Sequence, residues 1–192
     1  MTKSELRQIY LDKRSALTPG DRDEASRRIA DRFFETCDLS AVKTLHCFVP
    51  IEKFNEIDTS LIYKRVWNDH LKIQVTAPRL DRVIGQILSV VFAPETELIG
   101  NTWGISEPAG TESVEASEID IVIVPLLCFD EVGHRVGYGK GYYDKFLSRC
   151  REDCLKVGLS YFPPVTRIDD VNEYDVPLDY CLSPNQTHRF QI

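Results

Sequence analysis

Apolar positions recur with a helical period at the start of the chain and with a strand-like pattern further on. Leu6, Tyr10 and Leu17 stand near helical spacing, which predicts a helix over residues 3–17. Thr18-Pro19 reads as an N-cap and a first helical residue, with Asp21 in the first turn. Ala25, Ile29 and Phe33 follow at every fourth position, so this second helix carries an apolar stripe. The run VKTLHCFV at 42–49 then has the composition of a strand, and Asp58 can cap a helix through Leu61, Ile62 and Val66. LKIQVTAP at 71–78 and VIGQILSVVF at 83–92 predict two further strands. IDIVIVPLLCF, from Ile119, is apolar at odd and even positions alike, as a central parallel strand covered on both faces would be. Strands alternating with helices imply an α/β fold, a mainly parallel sheet with helices on both faces.

No repeat, low-complexity tract or Pro/Gly/Ser linker divides the chain, so residues 1–192 are expected to form a single domain. The formal charge of -7 argues against non-specific nucleic-acid binding, so an anionic ligand has to be caught by a local cluster of cations. No apolar run approaches the roughly 20 residues of a membrane span, and MTKSELRQIY lacks the apolar segment of a signal peptide; a cytoplasmic protein with no membrane partner is expected. Cys37, Cys47, Cys128, Cys150, Cys154 and Cys181 sit mostly among apolar neighbours and read as reduced, packed thiols. None forms a CxxC pair, and His46, His70, His134 and His188 are scattered, which disfavours structural zinc.

The chemistry is concentrated in GYGKGYYD, Gly137 to Asp144, where three of the ten glycines fall within five positions around Lys140. The stretch follows the apolar run from Ile119 after a polar turn, Asp130 to Arg135, and leads into the helical segment YYDKFLSRC. Ligands of open α/β sheets gather beyond the carboxyl ends of strands, where glycines let the backbone approach a phosphate closely. The spacing is neither a P-loop nor a dinucleotide fingerprint, and a bare GxGxG is more often a tight turn before a capped helix. Its company weighs the other way. Arg135 and Lys140 supply cations for phosphate oxygens, and Asp144 supplies a hard ligand for a divalent ion.

Arg135-Val136-Gly137-Tyr138-Gly139-Lys140-Gly141-Tyr142-Tyr143-Asp144 closely resembles the signature of the 5-formyltetrahydrofolate cyclo-ligase family. Weaker elements occur in that family's order. Lys3 to Arg7 resembles its KxxLR opening, Glu56-Ile57-Asp58-Thr59 its E-[VI]-x-T segment, and Trp103 to Pro108 its GI-x-EP turn. Tyr174 to Asp179 resembles its HDVPLD element, with Tyr174 where bacterial members often carry His, and the loop Ile51 to Asn55 is longer than usual.

The resemblance implies a three-layer α/β/α fold related to the NagB, RpiA and CoA-transferase folds. It implies an enzyme that uses ATP and Mg2+ to convert 5-formyltetrahydrofolate, with or without a polyglutamate tail, to 5,10-methenyltetrahydrofolate, working as a monomer. Lys140 and Arg135 are then catalytic. ATP contacts fall on Lys3, Arg7, Arg135, Val136, Gly137, Tyr138, Gly139, Lys140, Gly141, Tyr142 and Tyr143. Substrate contacts fall on Val49, Ile51, Glu56, Trp103, Tyr138, Gly139, Lys140, Gly141 and Tyr142, and the metal on Asp144 and Asp175. Arg14 lies further along roughly the face of Lys3 and Arg7, as if to extend a cationic stripe towards phosphates.

From the residues alone most of these have a plainer use. Lys3 and Arg7 fit a solvated helix face, Arg135 a surface turn, Glu56 a capping carboxylate, Val49 and Ile51 core, and Asp175 a turn before Pro177. Trp103 stays open between stacking on a ligand ring and covering the core. Two other classes are weighed against the ligase. A folate or nucleotide sensor on the same scaffold is disfavoured by the presence of Arg135, Lys140 and Asp144 together. A sugar-phosphate isomerase or CoA-transferase-like enzyme would need a catalytic carboxylate on another loop and no ATP.

Overall fold

A computed structural model describes residues 1–101 and 105–191. Among these residues there are four α-helices, α1 (Lys3–Ser15), α2 (Pro19–Thr36), α3 (Ser60–Asp69) and α4 (Tyr142–Leu147). The strands are β1 (Thr44–Cys47), β2 (Gln74–Asp81), β3 (Gln86–Val91), β4 (Leu98–Gly100), β5 (Ser106–Pro108), β6 (Ser113–Val114), β7 (Ile121–Pro125), β8 (Cys128–Phe129), β9 (Arg135–Val136), β10 (Leu155–Leu159), β11 (Tyr180–Leu182) and β12 (Thr187–Arg189). Eight of them form one sheet in the order β12-β11-β10-β7-β1-β2-β3-β6. Its centre, β11 to β2, is parallel, while β12, β3 and β6 join antiparallel at the edges. β4 with β5, and β8 with β9, make two small antiparallel ribbons.

The doubly apolar pattern of β7 has its cause in this arrangement. Ile121 and Ile123 face Ile29 and Phe33 of α2 and Ile62 and Val66 of α3, while Val122 and Val124 face Phe146 and Leu147 of α4. α1 covers a third cluster, in which Leu6 and Tyr10 meet Leu127, Cys128, Val136 and Ile168. Helices on both faces of a mainly parallel sheet are the α/β fold the alternation predicted. All six cysteines are unpaired, and five are buried.

Local signals explain the helix starts. The Thr18 side chain accepts the Asp21 N–H ahead of Pro19, and Thr2 and Glu5 form a reciprocal capping box at α1. α3 starts one residue later than a cap at Asp58 would place it, with Thr59 at its N-cap. Asp58 still accepts the Ser60 N–H at 3.0 Å, but the Thr59 hydroxyl turns inward to donate to the Phe48 carbonyl at 2.6 Å. A cap is worth about 1 kcal/mol, whereas each fully buried aliphatic side chain contributes roughly 1.5–3 kcal/mol. Ile62 and Val66 therefore hold α3 in place.

Two expected spans change. α1 ends at Ser15, leaving Leu17 between the helices. VIGQILSVVF is not one strand, because Asp81 accepts the Val83 N–H through its side chain and the Gly85 N–H through its carbonyl, closing a turn with Gly85 at φ +65°. β2 correspondingly runs past Pro78 to Asp81. Pro78 is tolerated because it pairs with Ser89 of β3 beyond the register with β1, which ends at Thr76, so no ladder on that side misses its N–H. The site lies beyond the carboxyl ends of β1 and β7, under this β2–β3 hairpin.

Candidate functional site

A single cavity of about 1010 Å³ gathers nearly every residue singled out in the sequence. α1 contributes Lys3 and Arg7, and the segment after β1 contributes Val49, Ile51, Phe54 and Glu56. Pro78, Leu80 and Ile87 of the hairpin and Glu107 of β5 supply the opposite side. Arg135, the loop Gly137 to Gly141, Tyr142, Tyr143, Asp144 and Asp175 complete the wall. Val136 is absent from it: its side chain is buried under α1, and its carbonyl accepts the Leu127 N–H at 2.7 Å. Trp103 lies outside the described residues. Tyr174 is largely exposed and does not line the cavity.

The glycine loop is placed by a buried carboxylate before it and by α1 beside it. Asp130 accepts the N–H groups of Val132, His134 and Ile168, which fixes the turn between β8 and β9. Arg7 Nε then donates to the Gly137 carbonyl at 2.9 Å. The same guanidinium lies over Gly139, which sits at φ +84°, and a Cβ there would come within 3.0 Å of Arg7 Cζ. Gly141 caps α4 in the left-handed region at φ +65°. Glycine at 139 thus serves both the backbone conformation and the close approach of Arg7. The Lys140 side chain is exposed at the crest of the loop.

At this end of the cavity charges are paired with one another. Arg135 donates to Asp144 Oδ1 at 2.6 Å and to the Val176 carbonyl, and Asp144 Oδ1 also accepts the Val176 N–H at 3.2 Å. Burial pulls the Arg135 guanidinium below its ordinary value, while the Asp144 charge pulls it back up. Lys3 forms an ion pair with Asp175, whose other contact is the Asn172 N–H at 2.7 Å. Asp144 and Asp175 thus lie on one wall, both close enough to act on the Arg135 charge. Two carboxylates completed by phosphate oxygens and water are the donor set Mg2+ ordinarily takes, so these residues fit that ion in kind. Among the described residues no cluster of three or more His, Cys, Asp or Glu side chains forms a cage by itself.

The other end is built from a buried relay. Glu56 accepts the Tyr138 hydroxyl at 2.6 Å and the Ile51 N–H at 2.8 Å. Tyr138 in turn accepts Arg14 NH1 at 2.9 Å, and Arg14 NH2 donates to the Leu126 carbonyl. Burial pushes the Glu56 carboxyl up, opposed by the hydrogen bonds from Tyr138 and Ile51 and by the Arg14 charge. The Phe54 ring rests 5.1 Å from that of Tyr138, and the Tyr161 hydroxyl donates to the Glu56 carbonyl at 3.0 Å. The Tyr143 hydroxyl is buried without a partner, and burial raises it well above the usual phenol range.

Arg14 is therefore no part of a stripe aimed at phosphates. It is only 3 % exposed and lies beneath the loop. The signal was present in the spacing, since Leu6, Tyr10 and Arg14 follow one another at intervals of four along the buried face of α1. Phe54 and Tyr161 went unremarked because neither stands in a motif, and only the fold brings them to Glu56.

With this geometry in hand, comparison with known proteins is informative. The model of the 5-formyltetrahydrofolate cyclo-ligase family matches residues 1–184. The chain is 28% identical over 178 residues to the 5-formyltetrahydrofolate cyclo-ligase of Escherichia coli strain K12, covering 91% of this chain and 96% of that one. The solution structure of 5,10-methenyltetrahydrofolate synthetase from Aquifex aeolicus superposes with a TM-score of 0.84 at 28% identity, over 100% of this chain and 94% of that one. The 5,10-methenyltetrahydrofolate synthetase of Mycoplasma pneumoniae, at 24% identity, shares the fold with a TM-score of 0.75 over 96% of this chain and 99% of that one.

Proposed function

We propose, starting from the premise that this chain belongs to the 5-formyltetrahydrofolate cyclo-ligase family, that it converts 5-formyltetrahydrofolate and ATP, in a Mg2+-dependent reaction, to 5,10-methenyltetrahydrofolate, ADP and phosphate. A formamide oxygen is a poor leaving group. Transfer of the γ-phosphoryl group to the formyl oxygen gives an N5-iminium phosphate, N10 attacks the formyl carbon, and phosphate departs as the ring closes. The chemistry needs positioning and charge stabilisation, with no protein nucleophile.

The observation that carries this reading is one cavity whose wall joins the glycine loop and its cations to Glu56 among apolar side chains. Its volume of about 1010 Å³ is at the top of the roughly 300–1,000 Å³ usual for one small ligand, as two ligands meeting end to end would require. Arg7 and the loop amides orient the triphosphate, and Lys140 bridges the γ-phosphate and the formyl oxygen. Arg135 adds fixed positive charge where the transferring group spreads its own. Glu56 accepts N–H bonds from the aminopyrimidine ring, while Val49 and Ile51 pack against it. Mg2+, when bound, neutralises phosphate charge, and Asp144 and Asp175 are the residues that would hold it.

The test is methenyl-folate absorbance with the purified chain, each of 5-formyltetrahydrofolate, ATP and Mg2+ being omitted in turn. A rise that requires all three is expected. Product without ATP would sink the phosphoryl-transfer step, and binding of both ligands without product would return the chain to a sensor.

A further inference from the structure

Arg14 is a buried cation with no acidic group in direct contact among the described residues. Its Nε has no partner, and its two terminal nitrogens reach a phenol and a carbonyl. An isolated buried charge is costly, so its compensation has to be sought nearby. The nearest is Glu56, one hydroxyl away: the phenol accepts a hydrogen bond from Arg14 and donates its own O–H to the carboxylate. Arg14, Tyr138 and Glu56 thus form an ion pair bridged by a hydroxyl, running from beneath the loop to the cavity wall, in which each bond polarises the next. Its members come from α1, from the glycine loop and from the segment before α3, elements the chain joins only by folding.

We infer that Arg14 is a positioning residue for the substrate end of the cavity, acting through the Tyr138 hydroxyl to hold the Glu56 carboxylate ionised and aimed at the ligand. This rests on the reading of Glu56 as the group that accepts N–H bonds from the folate ring. Tyr138 and Ile51 occupy one site on each Glu56 oxygen, and a carboxylate offers about four, so the free ones face the cavity in a set direction. The titratable and charged groups around that carboxylate are Arg14 of α1, Tyr138 of the loop, Tyr143 of α4, and Lys53 of its own segment on the cavity wall. Tyr161 touches only its backbone carbonyl. Arg14 is the cation whose charge lowers the carboxyl, against a burial that raises it.

The experiment reads the carboxylate first without any ligand. With 13C-labelled glutamate, the Glu56 carboxyl is identified by its loss in Glu56→Gln and titrated in the wild type, Arg14→Met, Arg14→Lys and Tyr138→Phe. Its midpoint is expected to move to higher pH in Arg14→Met and Tyr138→Phe, and to return part of the way in Arg14→Lys. In turnover, the Arg14→Met acid limb moves up in pH with it. Its KM for 5-formyltetrahydrofolate rises about ten-fold, the effect of one charge-assisted hydrogen bond, with kcat and the KM for ATP within about two-fold. The double variant Arg14→Met/Tyr138→Phe loses less than the sum of the two single changes, since the two residues act on Glu56 in one relay.

An unmoved Glu56 midpoint overturns the inference, as does a loss falling on ATP. If Arg14→Met fails to fold, Arg14→Gln, which keeps a donor for Tyr138 but removes the charge, carries the same comparison. A wild type that makes no methenyl-folate would refute the proposed reaction, and the ligand-free titration would still decide the relay.

Discussion

The two ends of the cavity hold their charges in opposite ways. At the Glu56 end a carboxylate and a guanidinium are kept apart by a phenol, beneath α1 and the loop, and the carboxylate keeps free lone pairs pointing into the cavity. Around Asp144 and Asp175 the side chains that would meet phosphates and metal are partnered with each other: Arg135 with Asp144, Lys3 with Asp175. Buried polar networks are stiff because every broken bond leaves an orphan in low dielectric, whereas an ion pair at a cavity wall can be broken when a charged ligand takes the place of the lost partner. The first end is built to receive its ligand unchanged. The second can trade internal pairs for ligand contacts, which would suit the proposed change of occupant from ATP to ADP and phosphate.

That contrast can be broken from the phosphate side, and the largest effect is expected at Lys140. Its side chain is exposed at the loop crest, so Lys140→Ala should leave the fold intact. Removing a group that meets charge developing in the transition state costs about 10²–10³ in kcat. Steady-state assays should show that fall with the KM for 5-formyltetrahydrofolate nearly unchanged. Equal losses in kcat and folate binding would place Lys140 at both ends and dissolve the division.

A middle-sized effect is expected for Gly139→Ala. A side chain at φ +84° costs roughly 1–2 kcal/mol, and its Cβ would stand 3.0 Å from Arg7 Cζ, so Arg7 has to give way. The KM for ATP should rise about ten-fold, from loss of one well-placed charged contact, while that for folate holds. Melting should fall by a few degrees, as about 1–2 kcal/mol implies for a chain of this size. A folate KM rising as much as that for ATP would mean that the loop is one rigid unit serving both ligands alike.

Much of this architecture could be read from the residues. The Thr18-Pro19 start, the parallel strand at β7 and the place of the glycine loop after it all follow from local chemistry and one period of side chains. The hairpin was harder. Val83 and Ile84 look like strand residues yet sit at an exposed tip, and the Asp81 turn that puts them there is a local hydrogen-bond pattern hidden under apolar composition. The glycine loop, Glu56 and the two aspartates line one cavity, a grouping that only likeness to a family suggests from the sequence. Spacing alone does not bring Glu56 within 2.6 Å of a residue 82 positions later. Charge sign misled most at Arg14, where a cation in line with Lys3 and Arg7 suggested a surface stripe although its interval from Tyr10 put it on the buried face.

The smallest effect is the one that tests partner exchange most directly. Lys3 has two expected uses, contact with ATP and the ion pair with Asp175, and Lys3→Met separates them because they have opposite consequences for metal. Loss of the cation weakens ATP binding. The same loss frees Asp175 from a competitor, so less Mg2+ should be needed for half-maximal rate at saturating ATP. The two side chains are each 18% exposed, so water screens the pair in part and its loss is expected to be worth on the order of 1 kcal/mol, which keeps both changes within a few-fold. Mg2+ titration of the two proteins at fixed ATP reads the sign. A lower Mg2+ requirement beside a higher KM for ATP would establish that the pair is broken when the site fills. An unchanged requirement would leave Asp175 as an anchor for α1 and assign the metal to Asp144 alone.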